Sequence, residues 1–163
     1  MKTKTILLAL LFALVCFFQT ADAAVYYIDY VSGSDANAGT LKTAPWKRAP
    51  GMKGFSGSYS HSAGDRFIFK GGVTWPGAVL PVNIVSGGNS SSNDYYGVDL
   101  SWYSGSSYTR PVFDAEYSQS DCITLGSDYI TIDGIELCHV TSSANYGYGL
   151  ISGGAPSFIN IVN

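Results

Sequence analysis

The chain is short of charge, of histidine and of helical periodicity, and each shortage closes off a class of protein. Charged residues make up 13% of its 163 residues, there are two histidines, and no basic cluster occurs. Nucleic acid and anionic membrane surfaces reward Lys and Arg gathered on one face, so neither partner is expected. No apolar run reaches the ~20 residues that cross a bilayer. The longest, Ile6 to Phe18, has 13. A G-x-S-x-G elbow, a phosphate-cradling glycine loop and an H-E-x-x-H helix are all missing, which removes the commonest hydrolase, nucleotide and zinc-protease signatures. Cys138 and His139 do sit side by side. Adjacent residues on an extended chain face opposite ways, and with no second Cys/His cluster the pair predicts no zinc site. The expectation for metal within the chain is none.

What is present begins with a leader. Lys2 and Lys4 precede the apolar run, and Ala21-Asp22-Ala23 offers small residues for cleavage before Ala24. This pattern predicts a secretory signal peptide over residues 1–23 and a secreted or extracytoplasmic protein over 24–163, free of the membrane once the signal is removed. Val15 stands before Cys16 where lipidation wants a small residue, so no lipid anchor is expected. Cleavage takes away Lys2, Lys4 and Asp22 and leaves seven Lys or Arg against eleven Asp or Glu, a net charge of −4. Cys122 and Cys138 remain. In an oxidising compartment they are available to pair, and the sequence leaves open whether their Cα atoms fall within the ~7 Å that a disulfide needs.

With 19 glycines, 12 tyrosines and few charges, the chain suits a β-rich extracellular domain. Short strands are predicted over residues 25–31, 66–69, 78–84, 98–103, 111–115, 122–125, 129–133, 135–138, 149–151 and 158–162. Clusters of Gly, Ser, Asn and Pro separate them. Residues 45–53 suit a turn or two of helix that Pro50-Gly51 would stop. Residues 86–94 are too polar to order themselves and predict an exposed loop.

Cys122 to Gly134 returns loosely as Gly149 to Asn163, and aligning Tyr129 with Phe158 gives a shift of 29 residues. That is the length of one repeat in a stacked β-solenoid. Ile130, Ile132, Ile135 and Leu137 would point inward and Thr131, Asp133 and Glu136 outward, while Ile159 and Ile161 would sit over Ile130 and Ile132. A β-sandwich of short strands shows similar alternation, so the residues alone leave both architectures open.

A resemblance favours the first. Tyr26-Tyr-Ile-Asp29, Gly33-Ser-Asp-Ala-Asn-Ala-Gly-Thr40, Ala44-Pro-Trp46, Gly64-Asp65, Phe67-Ile-Phe69 and Gly71-Gly72 occur in an order and spacing that resembles the N-terminal portion of secreted right-handed parallel β-helix proteins of the pectin lyase-like superfamily. Tyr129 to Glu136 resembles one of their coil motifs. The resemblance implies an all-β, right-handed parallel β-helix (solenoid), with a cap over residues 25–55 and the first coils after it. The final strand has nothing behind it, so the chain is expected to be the first part of a longer protein. The family includes polysaccharide lyases, glycoside hydrolases and members without catalysis. The expected partner is therefore an acidic extracellular polysaccharide, acted on or simply bound. The alternative is a non-catalytic structural β-helix that binds glycans or neighbouring proteins.

Candidate site residues are few. Asp114, Glu116, Asp133 and Glu136 are the acids on predicted strands near the repeats. Such groups on a rigid face could serve glycosidase-type acid and base chemistry, or hold calcium in a lyase. Asp133 and Glu136 are the catalytic candidates within the chain, with the main catalytic groups expected beyond Asn163. No cofactor is expected in the chain itself, and calcium is a candidate for the full-length protein. A lyase also needs a positioned base, often Lys or Arg in the family resembled, and Lys70 and Arg110 are available. Solvated surface charge is the plain alternative for each. Asp35-Ala-Asn-Ala-Gly39 opens like a calcium loop, but Trp46 stands where the twelfth-position glutamate belongs, so a turn is expected. Trp75 and Trp102 are expected to pack, and Tyr95 and Tyr96 to be the aromatic faces offered to sugar.

Overall fold

The strands are short because turn residues punctuate the chain every few positions, and short strands must find partners far away in sequence. The computed structural model describes residues 22–141, 149–152 and 156–162. Within them lie eleven strands: β1 Val25–Ile28, β2 Arg66–Phe69, β3 Thr74–Pro76, β4 Val82–Ile84, β5 Asp94–Gly97, β6 Val112–Asp114, β7 Ile123–Leu125, β8 Ile130–Asp133, β9 Glu136–Cys138, β10 Leu150–Ser152 and β11 Ile159–Val162. The only helix among these residues is one 3-10 turn, Gly77–Val79. The segment expected to be a signal peptide, residues 1–23, lies outside the described residues but for Asp22 and Ala23.

All strand pairings are parallel. One sheet runs β1-β2-β5-β8-β11, a second β3-β6-β9 and a third β10-β7-β4. From β2 onward the chain visits the three sheets in the same order each time round. The fold is thus all-β and built of parallel sheets, and an antiparallel sandwich is excluded for these strands. Ile130 pairs with Ile159 and Ile132 with Ile161, the register expected from the repeat. Tyr129 and Phe158, the aligned corner residues, both take positive φ (57° and 59°) and stack at 4.7 Å with ring planes 1° apart.

Side chains from corresponding strands form the core. Tyr26, Phe67, Tyr96 and Ile132 share one row of the long sheet, and Trp46 stacks on Tyr26 at 4.5 Å at its end. Trp75 and Phe113 with Phe69 fill the space between sheets, ring centroids 5.0–5.6 Å apart. Val82, Ile84, Ile123 and Leu125 face them from the third sheet, all buried. Ile130 and Ile132 are buried, and Ile135 and Leu137 pack against the core. Burial of this much aliphatic and aromatic surface is what holds strands too short to be stable alone.

Several expected elements differ. The strand expected at 98–103 lies instead at β5, where Asp94 is fully buried. A charged residue reads as loop, but here its carboxylate accepts the Gly64 N–H at 2.8 Å and faces His61 Nε2 at 2.8 Å. β3 was hidden by its length and its proline. Residues 45–53 form no helix, because Trp46 joins the edge of the long sheet: Asp29 N–H donates to the Trp46 carbonyl and Trp46 N–H to the Tyr27 carbonyl. Residues 78–81 are a 3-10 turn and its exit, not strand. The Asp35 turn is confirmed, though its carboxylate reaches further than its own backbone: it accepts from the Lys47 and Arg48 amides and pairs with the Arg48 guanidinium at 2.9 Å.

Candidate functional site

On the outer face of the long sheet, Arg66, Tyr95, Thr131 and Asn160 form one row, one residue from each of four successive strands. Arg66 lays its guanidinium 3.9 Å from the centre of the Tyr95 ring. The Tyr95 hydroxyl donates to Asp133 Oδ2 at 2.7 Å. Burial, and then the carboxylate that it serves, push the Tyr95 phenol up to about 12, so it stays a proton donor across the physiological range. Asp133 is thereby oriented at the end of β8.

Beside it opens a cleft of about 300 Å³ lined by Val98, Leu100, Tyr108, Arg110, Asp133 and Gly134. The segment after β5 supplies Tyr108 and Arg110, the end of β8 supplies Asp133, and the corner after it Gly134. Gly134 is needed there: its φ is +65°, and a Cβ would meet Val98 at 2.9 Å. Arg110 is exposed and, among the described residues, no carboxylate pairs with it. Tyr103 meets Tyr108 edge-on at 6.2 Å. The cleft therefore gathers an unpaired guanidinium, an aromatic ring and one oriented carboxylate. Such a set can pair an acidic group bidentately, stack on a ring and accept hydroxyl hydrogen bonds.

The other sequence candidates scatter. Glu136 is exposed on β9, in a different sheet, and does not line the cleft, so Asp133 and Glu136 are not brought together as an acid and base pair there. Glu116 accepts the Gly77 N–H. Lys70, expected to be solvated, instead pairs with buried Asp29 at 2.8 Å. Burial pushes Asp29 up, but Lys70 and Ser32 together bring it below the ordinary carboxylate value. Trp75 is fully buried and Trp102 nearly so, as expected of packing residues. Tyr96, expected to face sugar, is buried at 6% exposure because its ring stacks on Phe67 inside the sheet. Tyr95 is half-buried.

Two clusters escaped sequence reasoning. Tyr59 donates to buried Asp65, and His61 faces buried Asp94, beside a second cavity of about 300 Å³ bordered by Pro50, Asn83 and Tyr96. Burial pushes Asp94 up despite the Gly64 amide and His61. No Lys or Arg lines that cavity, so it offers an acidic ligand no fixed positive charge. The second cluster is Asp114 with Cys138 and His139, whose Nδ1 lies 2.9 Å from Asp114 Oδ1. His139 takes φ +50°, so the pair Cys138-His139 is not extended and the premise that they face opposite sides fails. Cys122 and Cys138 are free thiols. Burial pushes the Cys122 thiol up to about 11.

No protein-family model matches the chain, and no curated protein sequence matches it. Among solved structures, one described as a rhamnogalacturonan lyase superposes with a TM-score of 0.50 at 16% identity, over 69% of this chain and 28% of that one. The likeness is one of fold. The chain spans under a third of that structure's length.

Proposed function

We propose that the chain forms the N-terminal part of a secreted, right-handed parallel β-helix protein that acts on or binds acidic polysaccharide, and that the Arg110 cleft holds a sugar carboxylate. The observation that carries this reading is the cleft itself: an exposed guanidinium with no acid partner among the described residues, next to Tyr108 and to an Asp133 oriented by Tyr95. The recurring visit to three parallel sheets supports the β-helix, and the fold likeness to a polysaccharide lyase supports the substrate class by analogy alone. The leader supports secretion.

Cleavage is a separate matter. Acid and base catalysis on a glycosidic bond needs two carboxylates ~5–9.5 Å apart across the bond, and Asp133 is the only carboxylate lining this cleft. The cleft on its own is accordingly read as a binding site that does not hydrolyse a glycosidic bond. Affinity electrophoresis through gels containing polygalacturonate, rhamnogalacturonan or a neutral glucan tests the reading. Retardation by the acidic polymers alone is expected, weakened at least about tenfold by Arg110→Ala, which removes a charge-assisted pair worth ~1.5–3 kcal/mol. Equal retardation of the variant, or retardation by the glucan, would overturn it.

A further inference from the structure

The register of the second sheet places Asp114 of β6 beside Cys138 of β9 as direct partners. Partners in a parallel ladder send their side chains out on the same side, one strand spacing apart. The next residue would ordinarily turn away. His139 instead adopts φ +50°, and its ring swings back to the Asp114 carboxylate. The turn is held from three directions. Ala115 N–H donates to the Cys138 carbonyl at 3.0 Å, Tyr117 N–H to the His139 carbonyl at 2.6 Å, and the Tyr117 ring lies 5.0 Å from the imidazole. Of the five non-glycine residues with positive φ among the described residues, Glu116, Tyr117 and His139 lie at this one place. A backbone departure of this kind is unfavourable and persists where surrounding structure enforces it.

The outcome is one carboxylate oxygen, one thiol sulfur and one imidazole nitrogen, all within 4.8 Å of one another. We propose that Asp114, Cys138 and His139 bind a zinc-class transition-metal ion, with a fourth position left to water or an incoming ligand. The donor set decides the class. Calcium and magnesium take oxygen ligands, whereas thiolate with imidazole selects zinc and its neighbours. With bonds of ~2.0–2.3 Å, one ion would reach all three groups once the side chains draw together around it. Binding releases the Cys138 thiol proton to solvent, while the imidazole, whose Nδ1–H donates to the Asp114 carboxylate in the metal-free protein, moves its single proton to Nε2 by exchange with solvent and gives Nδ1 to the metal. Asp114 enters as the carboxylate it already is. The ion would tie the end of β6 to the end of β9, two strands that belong to successive passes of the chain. Cys122 takes no part: it is fully buried and its Sγ lies 3.3 Å from the Phe113 carbonyl.

The test is titration of the purified, reduced protein with cobalt(II), followed by zinc competition. A thiolate-to-cobalt charge-transfer band together with the visible bands of tetrahedral cobalt should appear, saturate at one equivalent and vanish on adding zinc. Cys138→Ser should abolish the charge-transfer band. Asp114→Asn and His139→Ala should each weaken zinc binding by about tenfold or more, since even the outer partners of a metal site are worth 10–100-fold. Cys122→Ser should leave both band and stoichiometry unchanged. Because His139 is exposed and Cys138 and Asp114 are partly so, the variants should fold, which circular dichroism checks. Absence of the band in the wild type, its survival in Cys138→Ser, or a Cys122–Cys138 disulfide in the protein recovered without reductant would each overturn the proposal.

Discussion

Ile132 and Ile161 are the same residue type in the same row, on adjacent strands of one sheet, and differ only in what covers them. Ile132 is 4% exposed and Ile161 is 64% exposed. Truncation to Ala removes three carbons, worth about 0.8 kcal/mol each when fully buried, so Ile132→Ala loses about 2.4 kcal/mol of transfer energy. The cavity left in a packed layer raises this toward 3–4 kcal/mol, within the ~2–5 kcal/mol usual for the substitution. Ile161→Ala loses roughly a third of the transfer term and opens no cavity, about 1 kcal/mol or less. Urea denaturation followed by tryptophan fluorescence should show the first variant's midpoint well below the second's at unchanged slope. Thr131→Asp, beside Ile132 on the outer face of the same strand, should be mild, whereas Ile132→Asp should cost more than ~4 kcal/mol. Equal costs for the two isoleucines, or equal tolerance of aspartate at 131 and 132, would refute the assignment of faces.

The Asp29 and Lys70 pair predicts a pH dependence. Since the folded Asp29 value lies below its ordinary 3.8, its contribution is fully present above that pH and is lost as pH falls through the folded value, so stability should drop on acidification less steeply in Asp29→Asn than in the wild type. Lys70→Met should cost about 3 kcal/mol at neutral pH by leaving a buried carboxylate unpaired, with much of that recovered in the double variant with Asp29→Asn. Gly39→Ala should destabilise by more than ~1 kcal/mol, because φ is +76° and a Cβ would lie 2.5 Å from the Trp46 ring. Cys138 should react with iodoacetamide at neutral pH at least about tenfold faster than Cys122, which is fully buried with its thiol pushed up to about 11. Mass spectrometry of the labelled peptides reads the difference.

Much of the strand pattern was legible because alternation of Ile with Thr and Asp over residues 129–133, and with Asn over 158–162, encodes one buried face, and a shift of 29 residues places like on like. β5 was not legible. Its sequence, Asp-Tyr-Tyr-Gly, looks like turn, and the Gly64 amide and His61 that make a buried Asp94 tolerable lie about 30 residues away. Asp133 could be named from its place at the end of a predicted strand, but its companions Tyr108 and Arg110 come from a segment with no periodicity to show where it would fold. Glu136 fails as its partner because the corner at Gly134 sends the next strand into another sheet. The Asp114 cluster was hidden by an assumption that normally holds, namely that neighbours in a strand diverge. A non-glycine residue with positive φ leaves no mark in the sequence.

Parallel pairing has a kinetic consequence. Residues paired between these strands are never close in sequence: the separations run from 24, between Val112 and Glu136, to 41, between Val25 and Arg66. No hairpin is available among these strands to start folding cheaply, and every contact must wait for a long loop to close, the regime of millisecond-to-second folding. A doubling of loop length changes closure cost by only about 0.6 kcal/mol, so no pair is favoured by proximity. What distinguishes one pass from another is the side chains it brings, and Phe67, Phe69, Trp75 and Phe113 bring the most surface. The aromatic passes would then condense first and serve as the template on which the aliphatic ones are laid, giving the growth of this molecule a direction that its topology alone does not impose.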